Sequence, residues 1–224
     1  MKKQIVKLLK NLEKEKKIKI LFAVENGSRA WRIESNDSDY DVRFVFARKV
    51  EDYISIDAPA DVINAAFDKN LKPHDTEGSL VDMSGFDVFK FVKLLRSSNP
   101  TVIEWLISDI VYYGTQNKIF KDFALRNFNP ASLYYHYKSL SKNNYLKYIK
   151  TGNHVTGKKY LYTFRGLVNA KYVEAKNKVP PIRFSEALES MKNIIPVHVL
   201  AGVKELIELK KKCMEKENIK NNSC

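Results

Sequence analysis

Cysteine is nearly absent: of 224 residues only Cys213 and Cys224 carry a thiol, and both lie in a polar C-terminal stretch. That excludes a disulfide framework and a cysteine-based zinc site, and makes a reducing, cytoplasmic setting the expectation. Long apolar runs are missing too. No stretch approaches the roughly eighteen uninterrupted apolar residues of a membrane span, and Met1-Lys2-Lys3-Gln4 leads into a charged amphipathic segment instead of a signal-peptide core. A soluble chain with no membrane partner is expected. Histidine is sparse, and His74, His136, His154 and His198 are too scattered for a metal-ligand spacing. Acids are in deficit: 26 Asp+Glu face 39 Lys+Arg, a net of +13, so the average surface should attract RNA, DNA or nucleotides. What is present, 44% apolar and 12% aromatic residues, suffices for a buried core and excludes disorder along the whole chain.

Ile5, Leu8, Leu9 and Leu12 fall at i, i+3, i+4 and i+7, which predicts an N-terminal helix with one apolar stripe. Residues 18–24 (IKILFAV) read as a strand ending at a Glu-Asn-Gly-Ser turn. A second strand is expected over 41–46, with Val42, Phe44 and Phe46 on one face and Asp41, Arg43 and Val45 on the other. Residues 54–63 read as irregular, with short strands around Ala58-Pro59; 68–78 read as a polar loop and 80–83 as a strand. Ser84 followed by Asp87 reads as a capping-box start for a helix to Ser97, and Asn99-Pro100 as the start of another through Leu106. After a last short strand at 110–113, helices are expected at about 116–127, 130–150, 157–177 and 197–217, with a frayed polar tail. No internal repeat or low-complexity tract stands out.

The chemistry concentrates in Gly27-Ser28-Arg29-Ala30-Trp31 and Ser38-Asp39-Tyr40-Asp41-Val42. Strand residues two apart share a face about 6.6 Å apart, so Asp39 and Asp41 can converge. Paired carboxylates suit a hard divalent cation such as Mg²⁺ or Mn²⁺, and a third acid would complete a two-metal site; Asp82, in the expected 80–83 strand, is the candidate. Gly27 would let backbone N–H groups approach a phosphate, and Ser28 adds a hydroxyl donor. Asp37, Asp39 and Asp41 also imitate the opening of a calcium loop, but that loop needs Gly at its sixth position and Glu at its twelfth, where Val42 and Arg48 stand. Asp87 is read as a helix cap, not a ligand.

The run GSRAW followed by NDSDYDVRF resembles the signature of the DNA polymerase β-type nucleotidyltransferase superfamily, and more closely its small RNA-repair-associated, YcgL-like branch. The stretches 81–106, 136–149 and 158–173 are similar to that branch as well, so the resemblance covers most of residues 18–175. It implies an α+β fold: a polymerase-β-like core, a small mixed sheet with flanking helices, at 1–115, followed by an all-helical domain at 116–224 that binds substrate or nucleotide. It further implies metal-dependent transfer of a nucleoside monophosphate from an NTP, with Asp39, Asp41 and Asp82 catalytic and metal-binding, and Gly27, Ser28 and Arg29 on the nucleotide. One departure is visible: the branch usually has Gly where this chain has Arg32.

Residues 137–178 hold ten Lys/Arg against Glu174 alone, with tyrosines interleaved, a combination that can grip phosphates by charge and bases by stacking. Most of these residues are expected to fill the core or solvate the surface. Lys142, Lys159 and Arg165 lie in family-like segments and are the chosen nucleotide contacts, while residues 151–157 read as a flexible connector near the ligand. Residues 34–87, by contrast, hold thirteen acids against five bases, so the acids gather where the metal is expected and the bases where a polyanion is. An RNA end is the expected acceptor. Modification of a protein hydroxyl is the alternative, and a non-catalytic nucleic-acid-binding module the third reading.

Overall fold

A computed structural model describes residues 1–57, 59–115, 117–152 and 156–212. The centre of the expected connector with His154, residue 58, residue 116, and the tail from 213 with both cysteines lie outside the described residues. In chain order the elements are α1 (Lys2–Lys16), β1 (Lys19–Asn26), α2 (Gly27–Ala30), β2 (Tyr40–Ala47), α3 (Val50–Tyr53), β3 (Val62–Phe67), β4 (Val81–Asp87), α4 (Val88–Arg96), α5 (Pro100–Ile107), β5 (Val111–Tyr113) and α6 (Asn117–Asn127). Then follow α7 (Pro130–Asn144), a π-helical turn (Tyr145–Ile149), α8 (Gly157–Lys176), α9 (Phe184–Ser190) and α10 (Val197–Lys212). Among the described residues no helix is long and apolar enough to cross a membrane.

The chain divides into two compact units, the first formed by residues 1–30, 39–97 and 101–127. Its α+β architecture is a five-stranded mixed sheet in the order β3-β4-β2-β1-β5, with β2 and β4 parallel and the other pairs antiparallel. One face is covered by α1, whose Ile5, Leu9 and Leu12 are buried with Ile20, Ala23, Val42, Phe44, Phe46, Val81 and Met83. This is the burial that the helical period of α1 and the strand alternation of β2 require. On the opposite face Phe22 packs edge-on against Phe91 of α4, ring centroids 5.7 Å apart, and Phe120 of α6 packs against Phe91 at 5.2 Å. A register shift between Ile20 and Phe22 sends these two β1 side chains to opposite faces.

Two expectations change here. Ser84 does not cap a helix, because β4 continues to Asp87, pairing Met83 with Val42 and Gly85 with Phe44. Asp87 itself is the cap, its carboxylate accepting from the Phe89 amide at 2.9 Å. β3 begins within the 54–63 stretch read as irregular and runs through residues 64–67, an edge strand antiparallel to β4 that ends before the 68–78 loop.

The second unit comprises residues 31–38, 98–100 and 128 onward, and carries α7 to α10. Asn129 caps α7 by accepting from the Ser132 amide at 3.0 Å, with Pro130 at the first turn. The α7–α8 contact is close because Gly166 has no side chain: a Cβ there would lie 2.9 Å from Ser141 Cβ and 3.1 Å from the Tyr137 carbonyl oxygen. Ser141 Oγ donates across the same contact to the Thr163 carbonyl at 2.8 Å.

Candidate active site

Parallel pairing of β2 with β4 sets Asp41 directly beside Asp82. Both carboxylates turn to one guanidinium: Arg43 Nη2 donates to Asp41 Oδ1 and to Asp82 Oδ2, each at 2.8 Å. Nη1 of the same group donates to the Val42 and Asp82 carbonyls, each at 3.2 Å. The three side chains are only 15–19% exposed, so their charges are screened less than those of a surface ion pair. Lys19 of β1, paired with Glu13 of α1, and Lys90 of α4, paired with Asp61, make more exposed pairs elsewhere in this unit. The β2 alternation already put Arg43 on the face of Asp41; its bridge to Asp82 depends on the β2–β4 register.

The turn after β1 presses against this pair. Gly27 has φ +63°, and a Cβ on it would stand 1.9 Å from Asp41 Oδ2, so glycine is required both by conformation and by space. Ser28 is buried. Arg29 donates from Nε to the Asp39 carbonyl at 2.9 Å and lies 3.9 Å over the Tyr40 ring, tying the approach to β2 onto α2. Asp39 itself is half-buried and immediately precedes β2.

A buried acid that the sequence reading passed over supports Asp41 from behind. Glu25, at the end of β1, accepts the Asp41 amide at 2.8 Å through Oε1 and the Tyr112 hydroxyl through Oε2. Ser108 donates to the Glu25 carbonyl at 2.6 Å. Burial pushes the Glu25 carboxyl up to about 7 against the two hydrogen bonds that favour its anion, and pushes the Tyr112 phenol upward as well. The one available signal was a carboxylate ending an otherwise apolar strand.

Do these residues suit a divalent cation? Two hard anionic oxygens converge on a single positive centre, and Asn26, the register partner of Asp41, has a buried Oδ1 with no hydrogen-bond donor. That suits a cation held by Asp41 and Asp82 with further oxygens from a substrate. A closed cage is not formed: among the described residues no three His, Cys, Asp or Glu gather closely enough to hold a metal.

The other expected nucleotide contacts lie in the second unit. Lys142 is exposed near the end of α7, and Lys159 Nζ sits 3.7 Å over the Tyr148 ring. Arg165 is buried, its guanidinium 3.6 Å over the Trp31 ring, whose edge meets Tyr162 at 5.2 Å. Tyr137, one of the interleaved tyrosines, is buried in α7.

Residues 1–223 match the RNA repair pathway DNA polymerase beta family, RlaP. The chain belongs to that family. It is therefore nucleotidyltransferase-like, a transferase of nucleotide groups. Over 214 residues this RlaP-family chain is 36% identical to the uncharacterized protein YcgL of Bacillus subtilis (strain 168), covering 95% of the chain and 77% of the relative. A crystal structure of a nucleotidyltransferase-like protein from Exiguobacterium sibiricum 255-15 aligns with a TM-score of 0.35 and 13% identity, covering 92% of this chain and 75% of that one.

Proposed function

We propose that this protein transfers a nucleoside monophosphate from an NTP to the hydroxyl of an RNA end, in the cytoplasm and with a divalent metal ion. The observation that carries the reading is the register that sets Asp41 and Asp82 abreast, beside a turn whose glycine leaves room for the Asp41 carboxylate. Asp41 and Asp82, with Asp39 at the head of β2, would hold Mg²⁺ or Mn²⁺. The ion, when bound, acidifies the acceptor hydroxyl and neutralises charge gathering on the leaving pyrophosphate. The chain's own part is positioning. Glu25 fixes the Asp41 backbone, Arg29 fixes that of Asp39, and the Gly27-Ser28 turn offers a backbone amide and a hydroxyl to phosphate oxygens. The acceptor oxygen bonds to the α-phosphorus as the bond to the β-phosphate bridge breaks, releasing pyrophosphate. A helical domain carrying the net +9 of residues 137–178, Lys142 and Lys159 included, supports a polyanionic acceptor.

The test is incubation with Mg²⁺ or Mn²⁺, each α-labelled NTP, and either total RNA or a protein fraction. Label in RNA is expected, and D41N and D82N should reduce it at least a thousandfold while leaving the fold intact. Label in protein alone replaces the RNA acceptor with a protein hydroxyl. RNA retention without incorporation in any condition leaves only a binding module.

A further inference from the structure

We propose that Arg43 is the resident counter-ion of the Asp41–Asp82 pair: it holds the site when no divalent cation is bound, and surrenders it as a nucleotide-borne cation arrives. The inference rests on the reading of Asp41 and Asp82 as the metal-binding pair. Its basis is that one nitrogen, Nη2, stands at 2.8 Å from an oxygen of each carboxylate. A guanidinium and a divalent cation need the same oxygens, so binding of one opposes binding of the other.

What moves is settled by what is anchored. Asp41 is fixed through its amide by Glu25, and its carboxylate lies against Gly27. Asp82 is an interior residue of the sheet, paired with Asp41 on one side and Ala66 on the other. Arg43 is different, since its guanidinium reaches the pair at the end of a flexible stem, and its remaining bonds, to the Val42 and Asp82 carbonyls, are the longer ones at 3.2 Å. Rotation of that stem frees both carboxylates without disturbing a strand. The released guanidinium has five donors in a planar fork, a match for the phosphate oxygens of the nucleotide that brings the cation. Cation and nucleotide should then bind with positive coupling, each strengthening the other by the same factor. A bare monovalent ion gains too little from two carboxylates to displace a guanidinium that makes four hydrogen bonds.

The experiment measures Mn²⁺ binding to the full chain by the loss of the free-ion paramagnetic resonance signal, with and without ATP, in wild type, R43Q, R43K and D82N. Without nucleotide, R43Q should bind Mn²⁺ at least tenfold more tightly than wild type, and ATP should tighten wild type by a larger factor than R43Q. R43K, whose ammonium is a point charge in place of a fork, should fall between them and carries the comparison if R43Q does not fold. If wild type, R43Q and R43K bind Mn²⁺ alike while D82N loses binding, the counter-ion role is overturned and the metal pair stands. If D82N binds as wild type does, the metal pair is overturned and this proposal with it.

Discussion

Replacing Gly27 by alanine perturbs the candidate site with a single methyl group, and its cost has two separable parts. The φ of +63° is left-handed, which costs an L-residue roughly 1–2 kcal/mol. The new Cβ would also lie 1.9 Å from Asp41 Oδ2 and 2.7 Å from its Cγ, an overlap that must be relieved by moving the carboxylate or the turn, at about 1–3 kcal/mol. Gly78 supplies the control within the same unit. Its φ is +80°, but the nearest atom to an added Cβ is His74 Nε2 at 4.0 Å, so G78A carries the conformational part alone. By thermal unfolding, G78A should lower the midpoint by roughly 3–6 °C and G27A by roughly 5–15 °C. In the labelled-NTP assay G78A should retain transfer, and G27A should lose about a hundredfold because Asp41 is displaced. Equal midpoints for the two variants, with transfer intact in G27A, would refute the close approach of the turn to Asp41.

Three further outcomes follow from the structure. Glu25, raised by burial to about 7 from an ordinary 4.5, holds a proton in the folded state that the unfolded chain has released. It should therefore cost stability as pH rises from 4.5 to 7, about 3 kcal/mol in all; E25Q should lack that decline when urea midpoints are compared across this range, in the absence of metal. Arg32 has φ +60°, so R32G should raise stability by about 0.5–1 kcal/mol, read as a small upward shift in the melting midpoint. G166A should lower stability by about 1–2 kcal/mol although alanine is the better helix former, because the Tyr137 carbonyl oxygen, 3.1 Å from the new Cβ, belongs to a helix backbone that cannot yield.

Where one periodicity dominated, the sequence was readable. The stripe of α1, the alternation of β2 and the Asn129-Pro130 start of α7 all announce their elements, because each follows from local geometry. β3 escaped because VINAAF, an edge strand, carries two small residues and only a partly buried pattern. The extension of β4 escaped because Ser84 and Asp87 both favour helix caps, and only pairing with β2 decides between them. The seven-residue α9 followed Pro-Pro and showed too short a period to register. In the site, the acids of the D-x-D run and Gly27 were visible as types. The support of Asp41 by Glu25 and the Arg43 bridge were not, since both depend on which strands become neighbours. The +60° φ of Arg32 is a backbone conformation that glycine adopts without strain, which fits the glycine that the resemblance led one to expect there.

The irregularity in β1 between Ile20 and Phe22 works as a parity switch. Upstream of it Ile20 is opposite Phe46; downstream the count is offset by one, bringing Glu25 opposite Val42 and Asn26 opposite Asp41. A ladder continued without interruption from Ile20 and Phe46 would set Glu25 opposite Asp41 and Asn26 opposite Tyr40, presenting a third carboxylate to the Asp41–Asp82 pair and withdrawing the amide. The acid that braces the site from behind would then crowd it from the front. The division of labour among these acids, support against ligand, is thus written in the reading frame of a neighbouring strand.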